Sequence, residues 1–90
     1  MEELILVHLN PVSLEQEVYI LSNDTETVPL IRKCKTEELP SVVTMSAAKY
    51  NIHYIKLAGS QVYAEEIRNR ITEKVSTCFG ADNDFVIELM

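Results

Sequence analysis

Residues 53–90 constrain this chain most, because they read as strand, helix and strand with almost nothing in between. Residues 53–58 are strand-like, Gly59-Ser60 follow at once, and a long amphipathic run comes next. In that run Ala64, Ile67, Ile71, Val75 and Cys78 form one apolar stripe, while Glu65, Glu66, Arg68, Asn69, Glu73 and Lys74 take the opposite side. This spacing is helical. Ser60 stands where an N-cap belongs and Gly80 where a helix stops. Glu66 and Arg70 form an i,i+4 pair in the favourable order. Residues 85–90 are strand-like again, so the two strands are predicted to lie parallel, joined by a right-handed crossover.

The first half supplies three more strands. Residues 4–9 contain Leu4-Ile5-Leu6-Val7, apolar at every position, which predicts a central strand covered on both faces. Asn10-Pro11 ends it, since proline cannot donate to the ladder. Residues 17–22 alternate, with Val18 and Ile20 on one side and Tyr19 and Leu21 on the other, and residues 23–25 carry the turn signal after them. Residues 28–34 hold Pro29 early and cations late, both of which suit an edge strand. Acids at Glu37 and Glu38, with Pro40 behind them, place a helix start between residues 39 and 41. Leu39, Val42, Val43, Ala47 and Tyr50 fall at helical spacing and are expected to pack on the sheet, with Asn51 as the stop.

Composition narrows the function classes. Ninety residues predict a single domain spanning 1–90, near the lower size limit for a self-sufficient core. Fourteen acids against eight cations give a net charge of −6, which argues against a phosphate-gripping nucleic-acid binder. No apolar run approaches the roughly 20 residues of a membrane span, and the acidic Met1-Glu2-Glu3 start has the wrong charge for a secretory signal. Cys34 and Cys78 lie far apart with no CxxC or His-Cys cluster, so neither a metal site nor a disulfide framework is expected. A reduced, cytoplasmic setting follows.

The element order is strand–strand–strand–helix–strand–helix–strand, and in this it resembles the ribonuclease H-like core shared with the actin-type ATPases. The resemblance implies an α/β fold: a mixed five-stranded sheet in ribonuclease H-like order with two covering helices. In nucleases of this superfamily the first strand ends in an aspartate that binds the catalytic divalent ions. Here the stretch reads Leu6-Val7-His8-Leu9-Asn10-Pro11, with Asn10 at that place. A neutral amide offers a hard cation one carbonyl and no charge. The family's second acid lies at the end of the fourth strand, where this chain has Lys56-Leu57-Ala58-Gly59. Its last acid comes from a helix beyond the fifth strand, past Met90. No catalytic residue, metal or cofactor is therefore expected, and the chain is read as a non-enzyme.

Gly59-Ser60 stands at a strand-to-helix junction, where free backbone N–H groups and the helix dipole suit an anion. In the actin-type ATPases a glycine-bearing turn in a comparable place holds phosphate. Gly59, Ser60, Gln61 and Asn10 are the candidate ligand-binding residues, alongside the plainer reading of Gly59 as strand end and Ser60 as cap. His8 and His53 would approach one another if their strands were neighbours. Cys78, continuing the core stripe, is expected to be inert.

Four tyrosines and two phenylalanines make up the aromatics, and Tyr63 lies beside Val62 off the main helical stripe. Val62, Tyr63, Ile87, Leu89 and Met90 are the candidate interface residues. Two helices are one fewer than the full superfamily fold carries, which leaves apolar sheet surface to be covered by a partner chain. A self-associating interaction module is the leading expectation, with a small-anion or nucleotide-phosphate binder second and an inactive nuclease relative third.

Overall fold

The computed structural model describes residues 3–13, 15–22 and 30–90. Its elements, in chain order, are β1 (Glu3–His8), β2 (Glu15–Ser22), β3 (Leu30–Lys35), a 3-10 turn (Thr36–Glu38), α1 (Leu39–Tyr50), β4 (Tyr54–Ala58), α2 (Gln61–Phe79) and β5 (Val86–Leu89). The expected turn at 23–25, Val28 and Pro29 lie outside the described residues.

The five strands form one sheet in the order β3-β2-β1-β4-β5. β1 pairs antiparallel with β2 and β2 with β3, while β1–β4 and β4–β5 are parallel. The sheet is therefore mixed, with β1 at its centre and the cationic β3 at one edge, as the residue patterns predict. The crossover between β4 and β5 is α2, the element whose apolar period was plainest.

Both helices lie on one side. α1 packs against α2 and β3, and α2 against β4 and β5. Against them stand Ile5 and Val7 of β1, Val18 of β2, and Ile55 and Leu57 of β4, all fully buried. From above, Leu39, Val43 and Ala47 of α1 and Ala64, Ile67, Ile71 and Val75 of α2 complete the core. The molecule is only 19 Å across its thinnest direction, room for one sheet and one helix layer.

This layering overturns one expectation. β1 is central, but it is covered on one face only. Leu4 and Leu6 are half-buried, and among the described residues no helix or strand lies over them. An all-apolar run reports that both faces of a strand carry apolar side chains, not what covers each of them.

Smaller departures have local causes. Asn51 ends α1 in the left-handed conformation that asparagine tolerates, φ 54°. One residue earlier Tyr50, expected on the packing stripe, is exposed, because the final turn of α1 overhangs the β3 edge beside Ile31 and Arg32. Thr44 and Ser46 are buried instead, with the Thr44 hydroxyl donating back to the Pro40 carbonyl at 2.7 Å. Cys78, expected in the core, is exposed. Phe79, next to it, is exposed as well, its ring centroid 4.9 Å from that of Phe85. Ile87 and Leu89, candidate interface residues, are half-buried on the helix side of the edge strand β5, where they pack against the core. Val86 and Met90 are exposed.

Candidate functional site

Two regions hold the candidate residues: the helix-free face of the sheet and the edge where β1 and β4 end. On the face, cross-strand register sets the neighbours. Leu4 pairs with Leu21, Leu6 with Tyr19 and Lys56, and His8 with Glu17 and Ala58. Tyr54 pairs with Val86, and Lys56 with Glu88. The centre is thus Leu4, Leu6, Tyr19, Leu21, Tyr54 and Val86. Charges of both signs flank it: Glu17 and Lys33, 3.8 Å apart, on the β2–β3 side, and Lys56 and Glu88 on the β4–β5 side. The Tyr54 hydroxyl donates to Glu88 at 2.9 Å, and the Lys56 ammonium lies 5.5 Å from the Tyr54 ring. Hydrogen bonding to Glu17 raises the Tyr19 phenol above its ordinary value.

At the edge, parallel pairing of β1 and β4 brings Asn10 and Gly59 to the same end of the sheet. The Leu9 N–H donates to the Ala58 carbonyl at 2.8 Å. Gly59 has φ 155°, and a Cβ built there would lie 2.9 Å from Leu9 Cβ and 3.0 Å from the Leu9 carbonyl oxygen. The glycine is required by the close crossing of two chain segments, a sufficient reason without a ligand. Ser60 is the N-cap of α2 by position, but its hydroxyl makes no capping bond; its carbonyl accepts from Ala64 N–H at 2.8 Å. Gln61 is exposed and reaches Glu65.

The Asn10 side chain is also committed locally, its Oδ1 accepting from the Val12 N–H at 3.0 Å. Behind it sits a residue that periodicity did not mark. Gln16 is fully buried, and its amide accepts from Asn10 N–H and donates to the carbonyls of Asn10 and Ser13 and to the Thr36 hydroxyl. Thr36 in turn meets the Tyr63 hydroxyl at 3.0 Å. Tyr63, a candidate interface residue, is half-buried, packs against the core and has its hydroxyl tied to Thr36. Val62, beside it, is 81 % exposed. A polar residue inside an apolar alternation was the one available signal for Gln16.

A cleft of about 210 Å³ opens here, lined by His8, Asn10, Ser13, Glu15, Glu17 and Lys33. Two carboxylates against one ammonium make it a poor anion receptor. No group of three or more His, Cys, Asp or Glu side chains among the described residues is arranged to hold a metal ion.

His8 and His53 stand at opposite ends of the β1–β4 pair and do not meet. His53 Nδ1 lies 2.6 Å from Asp84 Oδ1, and its ring stacks on Phe85 with centroids 4.6 Å apart. This contact pins the α2–β5 turn. Cys34 is buried, and desolvation, reinforced by the Glu38 charge, raises its thiol above the ordinary value, the opposite of an activated nucleophile. No helix among the described residues is long and apolar enough to cross a membrane.

No protein-family model and no curated protein matches the sequence. In fold the chain is similar to the crystal structure of the type II variant of the Aquifex aeolicus Ppx/GppA phosphatase, with a TM-score of 0.55 and 14 % identity. The match covers 100 % of this chain and 36 % of the phosphatase. At that identity the likeness is one of fold alone.

Proposed function

We propose that this chain is a non-catalytic interaction module that self-associates through the helix-free face of its sheet. The observation that carries the reading is the placement of both helices on one side, which leaves Leu4, Leu6, Tyr19, Leu21, Tyr54 and Val86 as a contiguous apolar face. Such faces on small domains mark interaction sites. A second copy is the occupant favoured by charge, because each flank carries both an acid and a base. Two copies stacked about a two-fold axis then set Glu17 and Glu88 against Lys33 and Lys56. On this reading the chain is a degenerate member of the ribonuclease H-like superfamily. Two free cysteines, one buried and one exposed, fit a reduced, cytoplasmic setting.

Light scattering coupled to size-exclusion chromatography at about 100 µM tests this directly, being well above the micromolar dissociation constants of modest interfaces. The wild-type chain is expected at twice its formula mass or more. Leu6→Glu, which sets a charge at the centre of the face, is expected at the monomer mass with an unchanged circular dichroism spectrum. A wild-type monomer that binds no apolar dye would sink the reading.

A further inference from the structure

A second surface, on the helix side of the sheet at the β3 edge, is built differently. β3 is the outermost strand, so its far edge presents unpaired backbone groups among the described residues. Beside that edge α1 overhangs, and between the two lies a groove of about 340 Å³ lined by Ile31, Arg32, Val42, Met45, Lys49 and Tyr50, with Ser46 at its base. Its apolar lining is partly open to solvent: Met45 is 72 % exposed and Tyr50 41 %. Its charge is of one sign. Arg32 and Lys49 border it and, among the described residues, no carboxylate does, in a chain whose net charge is −6. Lys49 lies 5.3 Å from the Tyr50 ring, which holds the ammonium at the rim of the groove. It also offsets the partial negative end of α1.

An edge strand flanked by a helix, with a groove between them, is the arrangement in which an extended peptide adds as a further strand. Main-chain bonds to the edge then supply affinity, and a side chain in the groove supplies specificity. The volume lies at the low end of the roughly 300–1,000 Å³ of ligand pockets and suits one bulky apolar side chain. We propose that the groove between the β3 edge and α1 docks an extended, acidic peptide segment bearing one large aliphatic or aromatic residue. Its carboxylates meet Arg32 and Lys49, its apolar side chain rests on Ile31, Val42 and Tyr50, and its backbone pairs with β3. The cations of β3 serve two ends: they repel a second basic edge and select an acidic strand.

The probe is a fluorescein-labelled ten-residue peptide of alternating glutamate and threonine with one central leucine, titrated against the full chain and followed by fluorescence anisotropy. Two controls replace glutamate by lysine, or leucine by glycine. The acidic leucine peptide is expected to bind at roughly 10–100 µM, and each control at least about tenfold more weakly. Arg32→Glu/Lys49→Glu is expected to weaken binding by about tenfold or more and to bind the lysine peptide in its place. Raising salt from about 0.05 M to about 0.5 M should weaken the wild-type complex. Amide shifts should fall on residues 30–35 and 42–50. Absence of binding at millimolar peptide, unchanged affinity in the charge-reversed variant, or shifts confined to Leu6, Tyr19 and Tyr54 would each overturn the proposal. So would a fall in the light-scattering mass of the charge-reversed variant alone, which would assign the groove to a second copy of this chain.

Discussion

Gly59 carries two constraints at once: an extended backbone with positive φ and a place beside Leu9 that leaves no room for a methyl group. The nearest obstacles are a Cβ and a carbonyl oxygen, neither of them the far end of a flexible side chain, so relief requires the β1 and β4 termini to separate. Gly59→Ala is expected to destabilise the fold by about 1–3 kcal/mol in urea denaturation. Ser60→Ala, one residue on, removes a hydroxyl that makes no capping bond. It should cost less than the roughly 1 kcal/mol usual for losing an N-cap. Equal costs at the two positions would mean that the hydroxyl, not the glycine, organises this junction. Gln16 is the other residue on which the edge depends. Its side-chain amide takes up the Asn10 N–H and the Asn10 and Ser13 carbonyls in a bend whose backbone makes one bond of its own, from Ser13 N–H to the Asn10 carbonyl. A buried amide is tolerable there only because all its groups are bonded.

Among the elements α2 is the one on which the sheet most depends. Ile67 and Ile71 are fully buried one turn apart, against β4 and β5, whereas Glu66 and Arg70 face solvent and pair at 2.8 Å. Truncating either isoleucine to alanine is expected to cost about 2–5 kcal/mol through lost burial and a residual cavity. Glu66→Ala should cost well under about 1 kcal/mol, because an exposed ion pair gains little over hydration. Chemical denaturation of the three variants checks the ranking, and a reversal would displace α2 about its own axis. The two edge strands differ in kind. β3 carries Arg32, Lys33 and Lys35, which keep other sheets away, while β5 is four residues long and offers little to pair with. That asymmetry is why an acidic strand is placed at β3.

At the scale of the molecule the decisive fact is that, among the described residues, five strands share two helices on a single side. Asn10 and Gly59 come to the same end of the sheet, and among the described residues no group of three or more His, Cys, Asp or Glu side chains is arranged there to hold a metal ion. Two-metal hydrolysis needs carboxylates holding ions about 3.5–4 Å apart. Isothermal titration with Mg²⁺ or Mn²⁺ is therefore expected to show no tight site, and DNA, RNA and branched junctions should survive incubation intact. Cleavage abolished by Asn10→Ala would overturn the non-catalytic reading. The type and order of the elements were legible in the residues, from the alternation in β2, the 3.6-residue stripe of α2 and the apolar run of β1. The approach of Asn10 and Gly59 to one end of the sheet was not, because it depends on β1 and β4 pairing in parallel. The Gln16–Thr36–Tyr63 network was not, because it joins residues 20 and 27 positions apart that carry no periodic signal. Nor was the exposure of Cys78 and Tyr50, since a helical stripe does not say where the sheet beneath it stops. Side-chain periodicity is local and reports which faces shun water. What covers each face depends on where the connections carry the chain, and only the tertiary structure put both helices over Ile5 and Val7 and left Leu4 and Leu6 to face outward.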